Sequence, residues 1–73
     1  MILKIATGTG WRFLDKVDRI ETVYIHEPNK PQILAKVNAF IHNRTDLEIV
    51  ECSQNPNEVY LLNDEGKTIE RIN

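Results

Sequence analysis

Cysteine is almost missing from this 73-residue chain: Cys52 stands alone, so no internal disulfide can staple the fold. A lone thiol with no secretory leader ahead of it is what a reducing, intracellular compartment would hold, and a cytoplasmic protein is expected. Glycine and proline are scarce, three of each, and there is no low-complexity tract, repeat or charge block to mark an internal linker. No apolar run approaches the roughly 18 residues that a membrane span requires, so no membrane partner is expected. An excess of positive charge is lacking too. Nine Lys and Arg stand against eleven Asp and Glu, a net charge of −2, which speaks against general nucleic-acid binding. The Asn43-Arg44-Thr45 tripeptide matches a glycosylation acceptor, but without a leader it reads as accidental.

What is present suits one globular domain, 41% hydrophobic and 27% charged, with no length left for a second. A chain near this size buries only about 60% of its unfolded surface. Its own core is therefore marginal, and a partner subunit is one common remedy.

Strand signals come first. Ile2 to Ala6, Trp11 to Val17 and Arg19 to His26 read as strands, the first two joined by a hairpin turn at Thr7-Gly8-Thr9-Gly10. The apolar phase slips at Asp15-Lys16-Val17-Asp18, as a bulge or a tight corner would cause. The third strand is apolar on both sides, with Val23 and Ile25 on one face and Ile20, Thr22 and Tyr24 on the other. It needs a second layer or a partner to cover it.

From Pro31 to Asn43 the pattern changes. Ile33, Leu34, Val37, Phe40 and Ile41 follow i, i+1, i+4, i+7, i+8 spacing, which predicts an amphipathic helix, with Pro31 in its first turn and Asn29 as cap. Leu47 to Cys52, Glu58 to Leu62 and Lys67 to Ile72 then read as strands. Turns are expected at Asn55-Pro56-Asn57 and Asn63-Asp64-Glu65-Gly66. The expected fold class is α+β: a curled antiparallel sheet of five to six strands with one helix, in the order β-β-β-α-β-β-β. Its core should hold Leu3, Ile5, Phe13, Val17, Val23, Ile25, Ile33, Leu34, Val37, Phe40, Ile41, Leu47, Ile49, Val59 and Leu61.

The segment Gly10-Trp11-Arg12-Phe13-Leu14-Asp15-Lys16-Val17-Asp18-Arg19-Ile20-Glu21 resembles the opening of short proteins encoded by bacteriophages and prophages of Gram-positive bacteria. The resemblance covers the first third of the chain and carries no functional residue across. It implies a small accessory protein, working in the host cytoplasm, that inhibits a host enzyme or blunts an antiviral defence. Such a protein acts by covering another protein or by sequestering a signalling nucleotide.

Candidate chemistry is sparse. Thr7, Gly8, Thr9 and Gly10 offer hydroxyls and N–H groups to a phosphate, with Trp11 to stack on a base and Arg12 to neutralise charge. The spacing is neither a P-loop nor a dinucleotide fingerprint, and the same residues make an ordinary hairpin turn. His26, His42 and Cys52 lie on separate elements without metal-ligand spacing, and nothing near Cys52 would lower its pKa. The carboxylates alternate with bases, as on a solvated face, so neither catalysis nor a cofactor is expected. On the predicted helix, Gln32, Ala35, Ala39 and His42 form a nearly uncharged outer face onto which a second copy could close, although Ala also favours helices with no partner. The expectation is a non-enzymatic binding or inhibitory module, a homodimer, that occupies a surface of a host protein. The alternative is a small-molecule binder that sequesters a nucleotide-like ligand.

Overall fold

The computed structural model describes residues 1–53 and 58–73, so the expected turn at Asn55-Pro56-Asn57 lies outside the described residues. Within them the chain is all-β. Its strands are β1 (Ile2–Ala6), β2 (Trp11–Leu14), β3 (Val17–Ile25), β4 (Ile33–Ile41), β5 (Leu47–Glu51), β6 (Val59–Leu62) and β7 (Thr68–Arg71). They form two antiparallel sheets, one ordered β2-β1-β6-β7 and the other β3-β4-β5. None of the described residues forms a helix long and apolar enough to cross a membrane.

The α+β expectation is overturned at one place: Pro31 to Asn43 holds β4, the central strand of the three-stranded sheet, and no helix. A bulge explains the misleading spacing. Val23 pairs with Lys36 and Tyr24 with Leu34, so Ala35 is an extra residue in β4. It carries the inward face from Leu34 across three positions to Val37, and from there alternation continues through Ala39. One three-residue step in a period-two strand imitates the i, i+3 rhythm of a helix. The Ala35 carbonyl is not left bare, since it accepts N–H bonds from Cys52 (2.8 Å) and Ser53 (3.1 Å). Ile33, Val37 and Ile41 are β-branched and suit a strand, and a short isolated helix would have been marginal. Asn29 is no cap; at φ 62° it turns the chain between β3 and β4.

The phase slip near residue 16 is a corner. Lys16 sits at φ 56°, its N–H held by the Asp15 carboxylate at 2.9 Å, and Asp18 is an extra residue between the Val17–Ile41 and Arg19–Phe40 pairs. Val17 exchanges backbone bonds with Met1, while the Lys16 carbonyl accepts the His42 N–H. Residues 11–25 thus run as one bent strand that leaves β1 and joins β4, so it serves both sheets.

The sheets close on one core. Leu3, Ile5, Val59 and Leu61 meet Val17, Leu34, Val37, Ala39, Val50 and Cys52. Burying each Leu, Ile or Val there contributes about 1.5–3 kcal/mol. Five residues expected in the core are exposed: Phe13, Val23, Ile25, Ile33 and Ile49. Phe40, Ile41 and Leu47 are half-buried. In β5 the inward phase belongs to Val50, followed by Cys52, because Leu47 and Ile49 pair with the outward Phe40 and Asn38 of β4.

Burial pushes the Cys52 thiol up from its ordinary pKa, and the neighbouring Glu51 charge adds to the effect. The thiolate is the reactive form, so iodoacetamide should leave Cys52 unmodified in the native protein at neutral pH and label it fully in denaturant. Mass spectrometry reads the result, and fast native labelling would contradict it. The folded state keeps this proton past the ordinary thiol range, so stability should fall as pH climbs through that range.

Candidate binding face

Alternation along β2 decides where its side chains go. Trp11 and Phe13 stand on the outer face of the four-stranded sheet, and Arg12 and Leu14 on the other. The register sets Phe13 beside Lys4 of β1, Lys4 beside Tyr60 of β6, and Tyr60 beside Arg71 of β7. One row of the sheet therefore reads Phe13, Lys4, Tyr60, Arg71, with Trp11 two pairs along from Phe13 on the same face.

Lys4, Trp11, Tyr60 and Arg71 hold one another. The Lys4 ammonium lies 4.2 Å from the centre of the Trp11 ring and 5.9 Å from that of Tyr60. The Arg71 guanidinium sits 5.6 Å from the Tyr60 ring on its other flank. Trp11 and Tyr60 are 6.1 Å apart and tilted by 57°, within the range of favourable aromatic pairs. Each cation–ring contact is worth about 0.5–1 kcal/mol at an exposed site, which offsets part of the entropy cost of holding a long side chain in one place. Glu58 closes one end, accepting from the Tyr60 hydroxyl (3.3 Å) and from Arg71 (3.5 Å). Trp11 is still 46% exposed and Phe13 56%.

The structure divides the residues that the sequence had grouped. Thr7 to Gly10 do form the exposed β1–β2 turn, but two of its four N–H groups are engaged there: Thr7 N–H donates to the Gly10 carbonyl (2.8 Å) and Thr9 N–H to the Thr7 hydroxyl (3.3 Å). Arg12 does not stand beside the Trp11 ring. It points to the opposite side and meets Glu48 of β5 at 3.4 Å, tying the edges of the two sheets together. Glu48 also pairs with Arg44 (3.1 Å), whose hydrogen bonds to Asp46 and Glu48 hold its guanidinium firmly charged and depress the Asp46 carboxyl. Arg12→Ala should therefore leave the arrangement of the Trp11 face unchanged and lower stability by under about 1 kcal/mol, as checked by tryptophan fluorescence and thermal unfolding.

The interface expected on a helix has no counterpart. Ala39 is wholly buried, Ala35 occupies the bulge, and Gln32 and His42 are exposed at opposite ends of β4. His42 Nδ1 lies 3.2 Å from Asp18 Oδ2, on a cleft of about 450 Å³ shared with Met1, Asp15, Lys16, Val17 and Asp64. The Met1 ammonium pairs there with Asp64 at 2.9 Å. This lining holds a carboxylate–imidazole pair but no hydroxyl or thiol for it to activate. No group of three or more His, Cys, Asp or Glu among the described residues could hold a metal ion.

Lys4, Phe13, Tyr60 and Arg71 escaped the sequence reading of the site. The signal for Phe13 was available: two residues beyond Trp11 in a strand, it must share the Trp11 face. Lys4, Tyr60 and Arg71 come from other strands, and only the register unites them. The chain has no match among family models, curated proteins or solved structures.

Proposed function

We propose that this chain is a non-enzymatic recognition module that covers a surface of a host protein with the outer face of its four-stranded sheet and inhibits that protein by occupying it. The observation that carries the reading is the open row of Phe13, Lys4, Tyr60 and Arg71 with Trp11 beside it, in which cation–ring contacts join Lys4 to Trp11 and Arg71 to Tyr60. Trp, Tyr and Arg are the residues in which interface binding energy concentrates. Strands hold them more rigidly than loops would, so little entropy is lost on docking. The host and its cytoplasm enter through the likeness of residues 10–21 to phage-encoded accessory proteins.

The test is capture from host lysate on the wild type, Trp11→Ala, Phe13→Ala and, as a control on the other sheet, Ile49→Ala. A protein retained by wild type and Ile49→Ala but lost by the first two supports the reading. Equal capture by all four removes it.

One observation favours a second reading. The Lys4 ammonium above Trp11, next to the bare Phe13 ring, would suit a nucleotide-like ligand, its base on Phe13 and its phosphate on Lys4 in place of Arg12. A nucleotide at 100 times its dissociation constant would stabilise the protein by about 2.7 kcal/mol. A thermal-shift panel without any such shift eliminates this alternative.

A further inference from the structure

We infer that the β3 edge is a self-pairing surface through which two copies of the chain join, Val23 against Val23, into one continuous six-stranded sheet. It belongs to the other sheet from the aromatic face and does not depend on that face's role.

β3 is nine residues long and lies at the edge of its sheet. An edge strand carries a row of backbone N–H and C=O groups free to pair with another strand, and proteins blunt such edges with charge, proline or bulges. Within β3 the charge and the Met1 contact are confined to one end, and the Ala35 bulge between the Val23 and Tyr24 pairs lies in β4, on the side away from the free edge. Met1 covers Val17, Asp18 is a bulge, and Arg19 and Glu21 are charged. Thr22, Val23, Tyr24 and Ile25 carry no charge, contain no proline and are exposed on both faces of the strand. Across the sheet Ile33 extends the apolar surface beside Ile25, and Ile49 adds a further exposed side chain on the same face.

Charge and the Met1 contact choose the register. A two-fold axis through a β-ladder pairs residue i with its symmetry mate, so opposed residues share a face. An axis at Glu21 would set Glu21 against itself, and one at Tyr24 would set Glu21 against Glu27. Both oppose like charges across the ladder. An axis at Ile20 would need the edge of Val17, which Met1 already holds. An axis at Thr22 sets Arg19 against Ile25 and Glu21 against Val23, leaving charges without partners.

An axis at Val23 opposes no like charges within β3 and leaves the Met1-covered edge of Val17 outside the ladder, while Glu21, bonded to Arg19 on its own chain, comes opposite Ile25. It sets Val23 on Val23 and Thr22 beside Tyr24, and brings Arg19 twice over toward Glu27 of the other copy, which lies two residues past the end of β3 and pairs with Lys30 on its own chain at 3.0 Å. Arg19 lies across the Phe40 ring at 3.7 Å and bonds Glu21 at 2.8 Å on its own chain, so it is already held on that outer face.

Size-exclusion chromatography with light scattering, over a concentration series, tests the pairing. The wild type should approach twice the 8.5 kDa mass of one chain. Val23→Lys, which opposes two ammonium groups on the axis at an exposed site, should run as a monomer with an unchanged circular dichroism spectrum. Arg19→Glu and Glu27→Arg should each weaken the dimer by about tenfold, and the double exchange should restore it. A monomeric wild type, a dimeric Val23→Lys or a double exchange that restores nothing overturns the pairing. If Val23→Lys fails to fold, the charge exchange decides alone.

Discussion

Replacing Trp11 with alanine should cost the proposed complex with a target protein at least about 2 kcal/mol, roughly a thirtyfold loss of affinity, while the protein stays folded. Two facts separate binding from folding here. The indole belongs to the outer face and is 46% exposed, so its loss opens no cavity in the core. Its neighbours on that face would nevertheless be released together, because Lys4 rests on the Trp11 ring and Tyr60 packs beside it. The truncation therefore removes the contact area of one ring and loosens two side chains that the target must then order again. Calorimetric titration of the captured target measures the loss. Circular dichroism and thermal unfolding should be close to wild type. An unchanged dissociation constant for a folded Trp11→Ala protein would refute the role given to this face.

Leu3→Ala should have the largest effect on stability, about 2–5 kcal/mol. Leu3 is wholly buried, sits in the middle of β1 and pairs with Leu14 on one side and Leu61 on the other. A domain of this size has only about 4–11 kcal/mol in total, so the variant would lose a large share of it. The melting temperature should fall by at least about 10 °C. Ile49→Ala is the matched comparison, a large apolar side chain that is 48% exposed and leaves no buried void, and it should move the midpoint far less. Comparable shifts for the two would mean that β1 does not anchor the sheet-on-sheet packing described above.

Much of the strand content was legible because local chemistry and the final fold agree. Ile2 to Ala6 alternates cleanly, and the structure places β1 over those five residues. The Asn63 to Gly66 turn carries its own instructions: the Asn63 side chain accepts the N–H groups of Glu65 and Lys67, and Gly66 takes φ 87° at no steric cost. β4 was illegible because its information is non-local. Whether Leu34 and Val37 share a face depends on Ala35 being extra relative to β3, and no window along β4 contains β3. The β-branched Ile33, Val37 and Ile41 favour a strand, whereas the spacing of the apolar residues imitates a helix. The site was half legible for a similar reason. Trp11 was found by its type and its place after the glycine turn. Arg12 was grouped with it by sequence adjacency, although neighbours in a strand face opposite ways. Tyr60 and Arg71 lie 49 and 60 residues from Trp11, and pairing of β1 with β6 and of β6 with β7 brings them to it.

The bent segment from Trp11 to Ile25 has a consequence for how the molecule comes apart. One stretch of backbone is hydrogen-bonded to β1 at its beginning and to β4 along the rest, so neither layer owns a complete set of strands without it. Fraying that ribbon exposes both inner surfaces together. The domain should accordingly behave as a single cooperative unit, with no half that persists as a partly folded remnant after the other has melted.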